Sequence, residues 1–265
     1  MERASWRLQS IGRACLVIII INYSLLITND AIAQVGEYRN DFAIGGSAGY
    51  SMSSIAFVPT VPQAQLGGLT FGFTARYTCE KYFSSICAVV GEVNYAQIGW
   101  KERIWDKLDQ PVVMKEDTTQ ALAYSRKMSY VQIPFMARLG WGRERSGLQF
   151  FFQVGPQIGF FLSEKTETNF NRSTPTKNNR SSYVVAQDTM AVEKTFDYGI
   201  AAGAGVEFSN RHLGHFILEG RYYYGLGNIY GATKRDYFAR SNFGNIVVKC
   251  TYLFDIIRTK NSKIK

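Results

Sequence analysis

The sequence predicts an all-β chain that closes on itself as an eight-stranded antiparallel up-and-down transmembrane β-barrel, and three observations carry that prediction. The first is the run Leu148 to Leu162, LQFFFQVGPQIGFFL, in which Leu148, Phe150, Phe152, Val154, Pro156, Ile158, Phe160 and Leu162 alternate with mostly small or amide-bearing residues. A strand sends successive side chains to opposite faces, so one face is continuously apolar. The second is an N-terminus built for export. The third is a set of connections that alternates long and short along the whole chain, the asymmetry of outer-membrane barrels.

Taken in order, the first strand is expected at Phe42 to Ser51, bracketed by Phe42 and Tyr50, and the second at Gly68 to Thr78, with Phe71 and Tyr77 outward of Arg76. The third runs Ala88 to Trp100 around Glu92, and the fourth Met128 to Trp141, carrying Arg138. The fifth is Leu148 to Leu162 itself. In the sixth, Lys194 to Phe208, Phe196, Tyr198, Ile200, Ala202, Ala204, Val206 and Phe208 alternate with Asp197, Gly199, Ala201, Gly203, Gly205 and Glu207. His215 to Leu226 and Asn242 to Asp255 complete the set, with Tyr222, Tyr224, Tyr252 and Phe254 as interfacial rings. In the fifth strand, Phe150, Phe152, Val154, Ile158 and Phe160 should face lipid while Gln149, Gln153 and Gln157 line the lumen.

The long connections are expected at Met52 to Gly67, Lys101 to Lys127, Ser163 to Glu193 and Gly227 to Ser241, the short ones near Cys79 to Cys87, Gly142 to Ser146 and Ser209 to Gly214. Short turns and both termini then share the periplasmic side. Pro59, Pro62, Pro111 and Pro175 punctuate the long connections, and Ser163 to Glu193 reads as a mobile, solvated surface loop.

Arg3, Arg7 and Arg13 precede an apolar stretch from Cys15 to Ile21 that resumes at Leu25 to Ile27, and Ala31-Ile32-Ala33 offers a small-x-small cleavage pattern. Residues 1–33 are therefore expected to be a cleaved signal peptide, 34–255 the barrel, and 256–265 a disordered basic periplasmic tail. The chain carries a formal charge of +9, and it stays basic when the leader goes. In an exported protein that balance favours lipid headgroups and lipopolysaccharide over nucleic acid. Of the four cysteines, Cys15 leaves with the leader; Cys79 and Cys87 flank a short connection, where a hairpin-closing disulfide and two free thiols are both open readings.

With the apolar face outward, the charged strand residues fall inside: Arg76, Glu92, Arg138, Asp197, Glu207, Glu219, Arg221 and Lys249. A lone charge on the lipid face costs about 2–4 kcal/mol at mid-membrane, which enforces that placement. Opposite charges fall on neighbouring strands, and the interior of an eight-stranded barrel is just wide enough for side chains to fill it. A lumen plugged by charge pairs follows, with an ion or proton path as the rival reading. His212 and His215 frame the turn RHLGH; Gly214 and the hairpin context make them a solvated turn pair and not a helical metal site. Gly203-Ala204-Gly205 and Gly225-Leu226-Gly227 precede no helix and cradle no phosphate. No catalytic residue, metal or cofactor is expected, and the chain is read as a non-enzyme.

Tyr130-Val131-Gln132-Ile133-Pro134-Phe135, Gly155-Pro156-Gln157-Ile158-Gly159 and Asp197-Tyr198-Gly199-Ile200-Ala201-Ala202-Gly203-Ala204-Gly205-Val206-Glu207 resemble the small outer-membrane β-barrel proteins of Bacteroidota, the porin-family or PorT-like group. The likeness runs from about Gln34 to Phe254. It implies a monomeric barrel in the cell outer membrane, inserted by the barrel-insertion machinery. Tyr252-Leu253-Phe254 is similar to the terminal aromatic signal, although the chain continues to Lys265. The expected role is structural or surface-binding through the outer loops. The alternative is an accessory to secretion or envelope assembly, with secretion-system proteins as partners; a lipid-modifying enzyme or a small channel ranks below both.

Overall fold

The computed structural model describes residues 37–114, 119–170, 182, 184–231, 233 and 236–259. Eight long strands follow one another: β1 (Glu37–Val58), β2 (Leu66–Tyr82), β3 (Ser85–Glu102), β4 (Tyr124–Gly142), β5 (Gly147–Thr168), β6 (Phe196–Asn210), β7 (Gly214–Gly225) and β8 (Arg240–Ile257). Each pairs antiparallel with its chain neighbour, and β1 closes the ring on β8 from Phe42↔Ile257 to Val58↔Arg240. A two-residue strand, Gln63–Ala64, adds to the end of β3. The fold is the up-and-down barrel read from the sequence. The segment expected to be a signal peptide lies outside the described residues.

Alternation fixes the faces. Phe150, Phe152, Val154 and Phe160 are exposed on the outer wall, whereas Gln149, Gln153 and Gln157 are buried inside. The same parity puts Phe71, Phe73, Leu218, Tyr222, Val248 and Phe254 outside on the other strands. Cys250 belongs to this outer set.

Six of the eight strands outrun their expected limits, while β6 and β7 keep their expected lengths. β1 and β5 each have 22 residues, against the roughly 9–11 a tilted strand needs to cross a membrane. Residues expected in loops, such as Ser53, Ile55 and Phe57, continue the ladder to β8, because apolar and small side chains keep alternating past Met52. The short connections shrink in turn. Phe83-Ser84 joins β2 to β3, residues 143–146 join β4 to β5, and residues 211–213 join β6 to β7. In the last of these the Asn210 side chain accepts from the backbone N–H of His212 at 2.9 Å, an Asx-type turn that the sequence RHLG completes with Gly214 at φ +88°.

One open reading narrows and one expectation changes. Cys79 and Cys87 are free thiols, so the hairpin-closing disulfide is not formed. Glu80, not Cys79, is the register partner of Cys87, and the pairing shifts between Thr78 and Glu80. The stretch from Ser163 to Glu193 is not one solvated loop. Its start continues β5, and near its end Val185, Gln187 and Asp188 are buried around the short 3-10 turn Ala186–Asp188.

That buried segment belongs to an apolar cluster at the long-loop end. Ile55, Phe57, Trp100, Tyr124, Tyr230 and Phe238 form its centre, with Val184, Ala186, Met190 and Val192 packed against it. Phe57 meets Trp100 edge-on at 5.4 Å between ring centroids and Phe238 at 4.9 Å. Each such ring removed from water contributes about 1.5–3 kcal/mol, enough to fold long connections back over the barrel mouth.

Candidate functional site in the barrel lumen

Seven of the eight charges assigned to the interior form two ion clusters. In the middle of the lumen, Glu92 on β3 receives Arg221 from β7, through Nη1 at 2.9 Å and Nη2 at 2.8 Å, and Lys249 Nζ from β8 at 2.6 Å. Asn94 Nδ2 donates to the same carboxylate at 2.7 Å, and Arg221 Nε donates to Glu219 at 2.6 Å. Nearer the short turns, Glu207 on β6 takes both carboxylate contacts of Arg76 Nη1 from β2, at 2.7 Å each, and is also bonded by Arg138 from β4. All seven side chains are buried.

The expected pairing between neighbouring strands is thereby corrected. Glu219 and Lys249 do face each other in the β7–β8 register, but their closest approach is 3.9 Å. The tight contacts join β3 to β7 and β8, and β6 to β2 and β4, none of them neighbours in the ring. Long arginine side chains reach across a narrow interior more easily than they fold back on the wall that carries them. Asp197 departs from the set. It accepts the Tyr223 hydroxyl at 2.6 Å and sits nearer the long loops.

Residues that the charge pattern missed complete the lower cluster. His215 is buried, not solvated: its Nδ1 lies 2.6 Å from Glu207, and its Nε2 lies 3.0 Å from Asp255. Ser209 Oγ is 2.9 Å from Nδ1, which superficially resembles a nucleophile, base and acid. However, Ser209 also lies 3.1 Å from Glu207 Oε1 and is itself fully buried, so the carboxylate competes for the hydroxyl proton. His212 stays exposed in the turn. Parity would have found His215, which shares the inward set with Glu219 and Arg221, and Asp255, which shares it with Lys249.

Space for this cluster is made by glycine. A Cβ on Gly205 would lie 2.3 Å from the Leu218 carbonyl oxygen and 2.6 Å from Phe151 Cζ. The freed volume admits the Phe151 ring, and the Arg138 guanidinium lies 3.6 Å over it. The β6 glycines that alternate with outward apolar residues thus admit inner-wall bulk elsewhere.

The short-turn mouth is crossed by a strap. Glu144, in the turn between β4 and β5, receives Arg39 Nε from β1 at 3.1 Å and Lys81 Nζ from β2 at 2.7 Å. Burial pushes its carboxyl up, but the hydrogen bonds from Arg39 and Lys81 outweigh that and hold it below the usual carboxylate range. Thr259 is pinned alongside, its Oγ1 accepting from Asn40 N at 2.7 Å, while Arg258 Nε meets Asp255 at 2.6 Å. The start of the expected disordered tail is therefore held in place; residues 260–265 lie outside the described residues. At the opposite mouth Arg126, missed although it shares parity with Arg138, donates to Met190 O at 2.6 Å and the Tyr230 hydroxyl at 3.0 Å.

The family model described as outer membrane protein beta-barrel domain matches residues 32–231, three quarters of the chain. The chain belongs to that family. Its place is accordingly the outer membrane, and the match ends within the connection between β7 and β8. No curated protein matches the chain. Among solved structures it is similar to the outer membrane protein OprG from Pseudomonas aeruginosa, with 14% identity, a TM-score of 0.40, and coverage of 83% of this chain and 98% of that one. It is also similar to the attachment invasion locus protein Ail of Yersinia pestis, with 14% identity and a TM-score of 0.33, over 81% of this chain and 99% of the other. A third is Neisserial surface protein A, with 11% identity and a TM-score of 0.37, over 80% and 97%.

Proposed function

We propose that this outer-membrane barrel is a non-conducting anchor whose biochemical role is binding at its long-loop end. The observation that carries the reading is the succession of obstructions along one lumen: the strap at Glu144, the Glu207 cluster, the Glu92 cluster and the aromatic cap around Phe57 and Trp100. An ion would have to displace paired buried charges, each costly to leave unpaired, and then cross an apolar cap. A solute would need a wider barrel.

The long-loop end, by contrast, is raised and structured. The connection from Arg103 to Ala123 folds back on itself through Trp105↔Pro111 and Val113↔Ala121. Asp106 Oδ1 accepts from Leu108 N and Gln110 N at 2.8 and 2.9 Å, fixing a tip on which Leu108 is 79% exposed. An apolar side chain held out on a rigid turn supports contact with a partner. We assign no catalytic role, and we extend the finer kinship to the Bacteroidota PorT-like group on the motifs of β4, β5 and β6.

Planar-bilayer recording with the purified chain should show no discrete conductance, and a stable single-channel current would overturn the closed-anchor reading. A photo-crosslinking residue at Leu108 should capture a surface partner in intact cells. Absence of any adduct from this tip would count against binding at the loop end.

A further inference from the structure

Where β6 begins and the β7–β8 connection departs, the outer wall opens into a cleft of about 580 Å³, within the size range of small-molecule sites. Its floor is made by Phe196 and Tyr198, two residues apart on the outward face of β6, with ring centroids 6.0 Å apart and planes 23° from parallel. Phe160 extends the platform, 5.4 Å from Phe196. The floor is fixed from behind, since Leu226 N and Gly227 N both donate to the Tyr198 carbonyl, at 2.8 and 3.1 Å. Phe196 and Tyr198 are each about half exposed.

The rim is polar and its charges are not equivalent. Glu193 is engaged by Gly231 N at 2.9 Å, and the neighbouring Asp236 by Thr233 N and Oγ1 at 2.7 Å each. Asn228 Oδ1 accepts from Ser241 N at 2.7 Å, which leaves its amide N–H groups as donors at the rim. Lys194 stands exposed beside them, close enough to Asp236 to add to the Thr233 hydrogen bonds in holding its carboxyl below the usual range. The cleft thus combines an aromatic face, amide donors and one cation flanked by two carboxylates at the height where outward apolar residues give way to charge. That is the outer girdle of a membrane barrel, where rings sit at headgroup level.

We propose that this cleft binds the phosphorylated sugar headgroup of an outer-leaflet glycolipid, with the sugar ring on Phe196 and Tyr198 and a phosphate beside Lys194. The polarised C–H groups of a sugar ring meet the negative face of the aromatic pair, and the acyl chains continue down the apolar wall below. Soluble glycans share the headgroup chemistry but lack that second contact. The proposal concerns the wall beside the loops and stands apart from the role assigned to the loop tips.

The test titrates the purified full chain in detergent micelles with bisphosphorylated lipid A, with the same lipid stripped of phosphate, and with the acyl-free bisphosphorylated disaccharide, using calorimetry. Loss of two stacking surfaces in F196A/Y198A should weaken lipid A binding about tenfold. K194Q should weaken the phosphorylated lipid about threefold and leave the dephosphorylated lipid unchanged. The disaccharide should bind more weakly than the intact lipid. Y222A, an outward ring on β7 away from the cleft, is the control, and heat-modifiable gel mobility verifies that every variant has folded. Wild-type affinity in F196A/Y198A, or an equal loss in Y222A, overturns the site. Equal wild-type affinity for the two lipids overturns the phosphate assignment, and a disaccharide that binds as tightly as lipid A overturns the membrane source.

Discussion

Arg221 and Glu92 meet across the lumen from opposite walls, Nη1 to Oε2 at 2.9 Å and Nη2 to Oε1 at 2.8 Å, a two-point contact between β7 and β3. Paired and parallel, these bonds have the fork geometry that makes arginine the residue of choice for a buried carboxylate. Lys249 shares Glu92 Oε1 at 2.6 Å, so one carboxylate balances two cations.

Glu92→Gln removes that balance while keeping the shape. Two buried cations lose their main acceptor, and the expected loss is about 3–5 kcal/mol of stability. Urea unfolding in lipid vesicles measures it. Replacing the whole cluster, as E92M/E219M/R221M/K249M, should recover most of the loss, because the cost lies in an unpaired buried charge. A single variant as stable as wild type would show that the cluster is not the tie described.

Gly205 and Gly220 separate the two walls cleanly. Gly205→Ala drives a Cβ into the Leu218 carbonyl and the Phe151 ring, whereas a Cβ on Gly220 meets nothing within 4 Å. G205A should reduce the folded, fast-migrating species on a heat-modifiability gel, and G220A should leave it intact. Equal yields would contradict the inner-wall crowding.

The strap carries a pH signature. Glu144 titrates lower in the folded chain than in the unfolded one, so its stabilisation is complete above the unfolded value of about 4.3 and is lost as pH falls through the lower folded value. The stability difference between wild type and E144Q should be constant above about pH 5 and shrink below about pH 4. Paired urea titrations over that range test it. A difference that grows on acidification would reverse the sign of the argument.

The thiols report on the β2–β3 hairpin and on the outer wall. Cys79 and Cys87 are free and Cys250 faces outward into the membrane. Intact mass without reductant should show Cys79, Cys87 and Cys250 all reduced. In vesicles Cys250 should react with an apolar maleimide and resist a charged, water-soluble one. A two-hydrogen mass deficit, or fast labelling by the charged reagent, would refute the assignment.

The barrel, its strand order and its inner and outer faces were legible because alternation at period two is local: Phe150 and Gln149 declare opposite faces without reference to anything distant. The partners of the inner charges were not legible. Whether Arg76 turns to Glu92 or to Glu207 depends on stagger and on side-chain reach across the ring, neither of which composition encodes. His215 was hidden because the turn RHLGH seemed to explain it, and Asp255 because it was read only as the end of the last strand. The apolar residues around Val184 to Val192 gave a faint signal beneath a polar, proline-bearing stretch, and only the cluster they join explains their burial.

The pairs that link β2 to β6 and β3 to β7 also bear on mechanics. A cylinder of eight hydrogen-bonded strands resists stretching along its wall far better than it resists being squashed into an ellipse. Lateral pressure from lipid and neighbouring proteins pushes in that soft direction. Arg76 to Glu207 and Arg221 to Glu92 act as spokes on two different diameters, so any flattening must lengthen or crush at least one of them. The loops rise from a hoop kept round from within.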